Sequence, residues 1–516
     1  MASIRRGAVA AIAAVAFAIG APSLSYPFGR DQGLYFYVAR EWIQRGSIPY
    51  RDVLDHKTPG IYLLHALSQL IFGQHMWAIR VMDIGGVALL GYVAARIVTP
   101  RGERPAPVLA ALGWLFASVL FFGYLNWWDT AQSELWYGTF GLASIASIRC
   151  AQKERTGQAL AGAFAASAMI MKPPAMWLVL VAVVLLALRA WGERDGRALR
   201  LVRAAIVFGL GFAVPTLLVF GYFGLHNALP ALADIVIGAN GYYVAHETGV
   251  SDPTDQIGKI LDYVGVYNPL STLGIFALIG GIAWATRAKQ PEVRARYVLA
   301  AVVCGAAFMA VAMQQKFYLL HWDVMVPAAT VVFATIAYDV LRVAAAKERA
   351  AWLVAATFLF AFVLSGRAVQ GWFFFVKNAT KSARGEITRA QFVAPFAFPE
   401  IGFGYSDSEA TGNWLREHSS PDDLVSVRGF QPEIYAVAER RHGGRFFWTT
   451  FLTNPARAYR RAEWLAEDRR DLDTRPPRYA VILASATEGP DSAAYFPGYE
   501  RRVAFGNLVV LERPAH

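Results

Sequence analysis

The sequence predicts a mainly α-helical, multi-pass membrane protein that ends in a small α/β domain. Hydrophobic residues make up 56% of the chain and charged residues only 17%, and the mean hydropathy is +0.35. Apolar runs of bilayer-crossing length recur from the N-terminus to about residue 366, which excludes an ordinary soluble protein. Strand patterns then alternate with helical ones, so the expected domains are residues 1–366 and 367–516.

The charge pattern supports this division. The net charge is +11, but Lys and Arg occur in short clusters between apolar runs, where they set membrane topology. We therefore expect a lipid bilayer and no nucleic acid as partner. Because the clusters fall at every second connection, residues 367–516 are predicted to lie outside. Cys150 and Cys304 are far apart, in or beside apolar segments, and imply no disulfide framework.

The first apolar run, Ala8 to Leu24, follows Arg5 and Arg6 and is either a retained helix or a cleaved signal peptide. We favour the retained helix, and both alternatives place the following loop on the far side of the membrane. With the later runs, the sequence predicts about eleven transmembrane helices. The later runs lie at about 77–98, 106–122, 135–149, 157–171, 174–190, 204–224, 268–286, 297–313, 322–341 and 350–366.

A charged, aromatic-rich first outer loop at 26–58 precedes an apolar helix at about 61–73, which is too short to span and is expected at the interface. The loop should contain an amphipathic helix from Leu34, with its polar side toward water and Glu41 paired to Arg45. Asp31 stands just before the first turn, so one alternative is that it only caps this helix. The apolar positions are Leu34, Tyr35, Val38 and Trp42, and the polar ones are Arg40, Glu41, Gln44 and Arg45.

The loop ends in Lys57, which precedes Thr58-Pro59-Gly60. This sequence would hold a cation rigidly where the chain enters the membrane, and a fixed ammonium there suits a lipid phosphate. The alternative is an interfacial lysine whose charge simply reaches out to water.

The C-terminal domain contains no phosphate loop, zinc pattern or nucleophile elbow, which indicates support or acceptor recognition. Asp407 or Ser408 is expected to cap a helix that continues through Glu417. A hairpin is expected across Gly506-Asn507. The other expected elements are strands at 423–427 and 479–484 and helices at 432–439 and about 454–470.

Four motifs in the outer connections can be taken together. The first is Asp31 ahead of an amphipathic helix, followed by Arg51-Asp52-Val53-Leu54-Asp55-His56-Lys57-Thr58-Pro59-Gly60-Ile61-Tyr62. The others are Asp129-Thr130-Ala131-Gln132-Ser133-Glu134-Leu135, then Met171-Lys172-Pro173, then Gln315-Lys316-Phe317-Tyr318 with His321. Over about residues 20–345 this set resembles the GT-C glycosyltransferases, in the branch of bacterial protein O-mannosyltransferases and aminoarabinose transferases. That family often has an Asp-Glu pair in the first loop, and here Gln32 occupies the second position.

The resemblance implies a multi-pass enzyme of the bacterial inner membrane with its active site and C-terminal domain on the periplasmic side. It would move a hexose or pentose from a polyprenyl monophosphate donor to a hydroxyl of a glycan, lipid or protein, usually with inversion. Asp31 would be the base that takes the acceptor proton, and Lys57 would stabilise the departing phosphate.

The same resemblance assigns supporting roles. Glu134 would be a second catalytic carboxylate, which could activate the acceptor or hold a divalent metal ion together with Asp31. The alternative for Glu134 is a solvated residue that caps the next helix. Lys172 and Lys316 are second choices for the donor phosphate, and Asp55, His56 and His321 are candidates for substrate or metal contacts. If the missing glutamate were required, Asp55 or Glu134 would have to replace it.

The main alternative function is a transporter or flippase of a lipid-linked saccharide. Such proteins usually carry ionisable groups inside their spans, whereas these apolar runs are nearly free of charge in their middles. The pattern therefore favours chemistry at the membrane surface. In the 225–267 connection, Glu247, Asp252 and Asp255 are candidates for gating the acceptor, with a solvated loop as the default.

Overall fold

The computed structural model describes residues 4–514, except 192–195, 247–251, 268, 288–290 and 458. The chain divides into two compact units, each built from three separate stretches. We call Met1–Ser25, Arg80–Val219 and Gly249–Lys377 the helical unit. We call Tyr26–Ile79, Phe220–Thr248 and Asn378–His516 the mixed unit.

The first two thirds of the described chain are almost entirely helical. The helices are α1 (Arg6–Gly20), α2 (Arg30–Arg45), α3 (Pro59–Phe72), α4 (Met76–Val98), α5 (Pro107–Ser118), α6 (Ser133–Cys150), α7 (Glu154–Met171), α8 (Met176–Trp191), α9 (Arg197–Leu225), α10 (Leu229–Ala233), α11 (Asn240–His246), α12 (Pro253–Asp262), α13 (Pro269–Arg287), α14 (Pro291–Ala312), α15 (Met325–Val343), α16 (Lys347–Leu364) and α17 (Arg367–Ala383). The helices α1, α4–α9 and α13–α16 follow the apolar runs of the sequence.

Among the described residues, six helices are long and apolar enough to cross a membrane, and a bent pair formed by α16 and 369–383 adds a seventh if it counts as one span. They are Arg6–Ser25, Met76–Val98, Pro173–Trp191, Arg197–Leu225, Pro291–Ala312 and Leu319–Val343. The chain is therefore a multi-pass membrane protein. The total of about eleven spans stays a prediction.

Small residues let helices of the helical unit approach closely. A Cβ on Gly91 of α4 would lie 2.2 Å from the backbone nitrogen of Trp114 in α5. A Cβ on Gly162 of α7 would lie 1.9 Å from the carbonyl oxygen of Phe208 in α9. At both crossings the glycine lacks a side chain, so the two helix backbones lie in direct contact. Such close approach at small residues is common between membrane helices.

The C-terminal part of the mixed unit is the small α/β domain that the sequence predicts. Its elements are α18 (Arg389–Val393), β1 (Ala397–Phe398), β2 (Phe403–Gly404), α19 (Tyr405–His418), β3 (Val425–Val427), α20 (Glu433–Ala438), α21 (Thr450–Thr453), α22 (Arg461–Thr474), β4 (Tyr479–Leu483), β5 (Glu500–Phe505) and β6 (Leu508–Glu512). The main sheet has the strand order β3-β4-β6-β5. β3 runs parallel to β4, and the other neighbours are antiparallel.

The expected hairpin across Gly506-Asn507 is present, as are the strands expected near 425 and 480. The expected cap of α19 is wrong, because the helix begins at Tyr405 with Gly404 at its N-cap position and no side-chain cap. The long charged helix expected from Asn454 begins later, at Arg461, after a short 3-10 turn at Pro455–Arg457.

Helix α2 differs from expectation in its surroundings. It starts at Arg30, four residues earlier than predicted, and its polar side is only partly exposed: Arg40 and Glu41 are buried, whereas Gln44 and Arg45 are exposed. The guanidinium of Arg40 donates to the carbonyl of Tyr435 at 2.9 Å and to that of Arg440 at 2.6 Å. The expectation that this side meets water is wrong for Arg40, because carbonyls of the C-terminal domain replace the water, and it is confirmed for Gln44 and Arg45. The expected pair is present, with Arg45 Nε 3.9 Å from a Glu41 carboxylate oxygen.

Candidate functional site

The first turn of α2 presents the Asp31 carboxylate. Gly29 is the N-cap residue, and the side chain of Gln32 accepts a hydrogen bond from the Gly29 N–H at 2.9 Å. This is the return half of a capping box, so Gln32, where the family often has glutamate, closes the helix start. The interpretation of Asp31 as the cap is wrong. Its side chain is partly exposed and makes no hydrogen bond or ion pair with any residue that the structure describes.

Asp55 and His56 form a buried polar group just before α3. Nδ1 of His56 lies 3.0 Å from a carboxylate oxygen of Asp55. The hydroxyl of Tyr62, one turn into α3, donates to the other oxygen. Both oxygens of this fully buried carboxylate are thus hydrogen-bonded, as buried charges require.

Electrostatics assigns the protons in this group. Burial, with the charge of Lys57 as the next cause, lowers the pKa of His56 to about 4, although Asp55 opposes the shift. Burial alone would raise the pKa of Asp55, but His56, Tyr62 and Lys57 together hold it below its usual value. At neutral pH the ring is therefore uncharged and donates Nδ1–H to an ionised Asp55. The contact is a hydrogen bond rather than an ion pair.

The backbone that carries Lys57 is fixed by hydrogen bonds within the mixed unit. The hydroxyl of Tyr50 donates to the Lys57 carbonyl at 2.7 Å, and the amide of Asn240 donates to the His56 carbonyl at 2.8 Å. The indole of Trp448 donates to the Leu54 carbonyl at 3.1 Å.

The side chain of Lys57, by contrast, has no hydrogen-bond or ion-pair partner among the residues that the structure describes. Its ammonium makes no hydrogen bond or ion pair within the described ranges of the chain. Thr58 is the N-cap residue of α3 and Pro59 its first residue, so the helix begins two residues before the predicted start at about residue 61. A cation on a rigid backbone without a direct ion-pair partner among the described residues is suited to an anionic ligand.

In the helical unit, Glu134 and Lys172 form an ion pair. Glu134 lies in the first turn of α6 and also accepts from Ser133 at 3.0 Å. Lys172 is the C-cap residue of α7, and Pro173 follows it. The interpretation of Glu134 as a solvated residue is wrong, since its side chain is 1% exposed. The pair brings together a candidate carboxylate and a candidate phosphate ligand.

Two charged residues that the sequence reasoning missed support this region. Asp83 of α4 accepts from the Ala131 N–H at 2.7 Å, and Arg80 donates to the Trp127 carbonyl at 3.1 Å. Both side chains are fully buried. They hold the connection that leads into α6 and Glu134. The sequence contains a signal that could have identified them. Two ionisable residues three positions apart inside an apolar run indicate a functional site.

A third missed residue is Asp323, in the 3-10 turn Leu319–Val324 ahead of α15. It is fully buried, and neither carboxylate oxygen has a hydrogen-bond partner among the described residues. It interacts electrostatically with Asp129 and Glu134 and with the ammonium of Lys172. Lys316 and His321, both buried, lie in the same connection.

The described residues contain no group of three or more His, Cys, Asp or Glu side chains arranged to hold a metal ion. The expectation of a divalent metal therefore has no support in this part of the chain. Of the carboxylates assigned to acceptor gating, Asp252 caps α12 by accepting from the Thr254 N–H at 2.9 Å, and Asp255 is exposed. Glu247 lies outside the described residues.

The helices and the C-terminal sheet define a multi-pass membrane protein with a small α/β domain at its C-terminal end. The fold is shared with ArnT from Cupriavidus metallidurans. The structure of ArnT bound to undecaprenyl phosphate superposes with a TM-score of 0.59 at 15% identity, covering 99% of this chain and 98% of that one. The structure of ArnT in the apo state gives a TM-score of 0.59 at 15% identity and covers 98% and 97%.

At 15% identity this likeness establishes the fold alone. At the level of the fold, it confirms the resemblance found in the sequence motifs. No protein-family model matches the sequence. No curated protein matches it significantly either.

Proposed function

We propose that this chain is a membrane glycosyltransferase that moves a sugar from a polyprenyl-phosphate donor to an acceptor hydroxyl. The observation that carries the proposal is the ArnT fold over 99% of the chain, in one case with undecaprenyl phosphate bound to ArnT. The place of action is the periplasmic face of a bacterial inner membrane, and the acceptor is a glycan, lipid or protein. The sugar is a hexose or a pentose.

The donor end of the reaction needs a cation. When the bond between the anomeric carbon and the phosphate oxygen breaks, the departing polyprenyl phosphate gains negative charge. A cation already in place stabilises this transition state more than the ground state. Lys57 is the first choice because its backbone is fixed and its ammonium has no partner among the described residues. Lys172 is less suited, because Glu134 already neutralises it. Lys316 is the second choice.

The acceptor end needs a base. The acceptor oxygen attacks the anomeric carbon as the phosphate leaves from the opposite side, which inverts that centre. The acceptor proton passes to a carboxylate within hydrogen-bond reach. Asp31 is suited to this role because its side chain is partly exposed and does not cap α2. It also makes no hydrogen bond or ion pair with the described residues.

The hydrogen-bonded pair of Asp55 and His56 has a supporting role. Its hydrogen bond and that of Asn240 hold the two residues before Lys57 in one conformation. A fixed position for the cation saves reorganisation when the charge develops. We assign no metal to these residues.

One observation favours the alternative function, a transporter or flippase of a lipid-linked saccharide. Arg80, Asp83 and Asp323 are fully buried charged residues within the apolar helices or at their ends. Buried ionisable groups in membrane helices often mark a transport path. Arg80 and Asp83 are hydrogen-bonded to the connection before α6, however, which gives them a structural role.

Purified protein in proteoliposomes separates the two functions. The probe is radiolabelled undecaprenyl phosphate carrying a hexose or a pentose, supplied with and without an envelope glycan fraction as acceptor. Glycosyl transfer releases free undecaprenyl phosphate and labels the acceptor. Movement of the intact lipid-linked sugar across the bilayer without release would contradict the proposal and support the transporter.

A further inference from the structure

The residue beneath the first turns of α2 is Glu433, the first residue of α20. Its side chain is fully buried. A Cβ on Gly33 of α2 would lie 2.5 Å from the backbone nitrogen of Glu433. Only glycine allows this approach, so the backbone of α2 rests directly on α20 two residues after Asp31.

Two complementary atoms near this contact lack partners. One carboxylate oxygen of Glu433 accepts from the hydroxyl of Ser408 at 2.6 Å, while the other is buried without a hydrogen bond. Nε of Arg30 is also buried without one. These statements hold for the described residues. A buried acceptor or donor without a hydrogen bond lowers the stability of the fold. A hydrogen bond between these two atoms would satisfy both.

Arg30 is otherwise held firmly. Its guanidinium donates to the Ile401 carbonyl at 2.9 Å and lies 5.5 Å from the ring centres of Phe403 and Phe430. The attraction between Arg30 and Glu433 opposes the effect of burial on both groups. The two side chains are thus within electrostatic reach without an ion pair.

The charge of Glu433 changes near neutral pH. Burial raises the pKa of Glu433 to about 7, against the hydrogen bond of Ser408 and the charge of Arg30. The groups that face it are Arg30 from α2 and Ser408 and Tyr405 from α19. Above this value the carboxylate is ionised and attracts Arg30, and below it the attraction is lost.

We propose that Glu433 is a positioning residue for Asp31: its ionised carboxylate attracts Arg30, holds the first turn of α2, and so aims the neighbouring Asp31 carboxylate. The inference rests on the proposed function, because it gives the C-terminal domain a part in placing the base. Asp31 makes no hydrogen bond or ion pair of its own within the described residues, so its direction depends on this turn.

The test uses Glu433→Gln, which keeps the volume and the acceptor for Ser408 but not the charge. We expect kcat to fall about tenfold, with KM changed less than about twofold. A loss of this size is typical of the interaction energy between two neighbouring residues. Wild-type kcat should decrease as the pH falls through about 7, while the variant stays low and flat. The matched control is Glu439→Gln, at an exposed position that ends the same helix.

A second variant, Arg30→Gln, removes the same attraction from the other side and carries the test if Glu433→Gln does not fold. The double variant should lose no more than either single variant, because both act through one interaction. Wild-type kcat and an unchanged pH profile in both single variants would overturn the positioning role while leaving the proposed function intact. No transfer by the wild-type protein would refute both proposals.

Discussion

The Nδ1 atom of His56 donates a hydrogen bond to Asp55 over 3.0 Å, and the two residues immediately precede Lys57 in the chain. The ring is uncharged at neutral pH because burial and the nearby ammonium lower its pKa to about 4. The pair therefore adds one negative charge, not zero, beside Lys57. That charge interacts favourably with the Lys57 ammonium without forming a direct ion pair with it.

The lowered pKa of His56 predicts a pH-dependent stability. The unfolded histidine takes up a proton below its usual pKa of 6.5, whereas the folded one does so only near 4. The unfolded state binds more protons in that window, so stability falls as the pH drops through it, by up to about 3 kcal/mol. Thermal unfolding in detergent should show this slope, and His56→Gln should reduce it. His75→Gln, at an exposed position, is the control. An unchanged slope in His56→Gln would contradict the assignment.

For Asp31→Asn we expect transfer to fall by about 10²–10⁴, the usual worth of a positioned base. Binding of undecaprenyl phosphate should be retained, because the amide has the same shape. Turnover in proteoliposomes and lipid binding by native mass spectrometry measure the two effects separately. The control is Asp422→Asn, which changes an exposed aspartate of the same mixed unit and should have wild-type turnover. Near-normal turnover in Asp31→Asn would remove Asp31 as the base.

Lys57→Ala should impair use of the donor. Loss of one preplaced donor to a developing negative charge costs about 10²–10³ in kcat. Lys57→Arg keeps the charge and should recover part of the rate. Lys153→Ala removes an exposed lysine of the helical unit and serves as control. If Lys57→Ala leaves both donor affinity and turnover unchanged, the lysine is an interfacial one that only reaches water.

The ion pair of Glu134 and Lys172 predicts an asymmetry between single and double variants. Removing one partner leaves a buried charge uncompensated, so Lys172→Met should destabilise the protein by about 3–5 kcal/mol. The double variant with Glu134→Gln should regain part of this loss, because the charge of Glu134 is removed together with its counter-charge. Apparent melting temperatures of the purified variants measure the effect. If the double variant instead lost the sum of the two single losses, the two charges would act independently and the prediction would be wrong.

Much of the architecture could be predicted from local patterns. The hairpin of β5 and β6 follows from alternation around Gly506-Asn507, and α3 from an apolar run after Thr58-Pro59. These elements depend on neighbours in sequence. The polar side of α2 was predicted to face water for the same local reason. This is right for Gln44 and Arg45 but wrong for Arg40, which is covered by carbonyls of residues about 400 positions away.

The candidate site divides in the same way. Asp31, Lys57, Glu134 and Lys172 could be selected from residue type and motif order, since carboxylates and lysines in outer connections are rare in so apolar a chain. Their individual states could not. Gln32 rather than Asp31 closes the start of α2, and Asp323 lies buried without a hydrogen bond among the described residues.

The sequence by itself determined the membrane character, the order of the helices and the residues that can carry charge at the site, because hydropathy and periodicity are local properties. Only the tertiary structure decided which of these charges are paired and which are open. It joined Lys172 to Glu134, left Lys57 and Asp31 without partners among the described residues, and placed Glu433 beneath the turn that carries Asp31. The reason is physical: a side chain's charge state depends on burial and on groups distant in sequence, which the fold alone brings near.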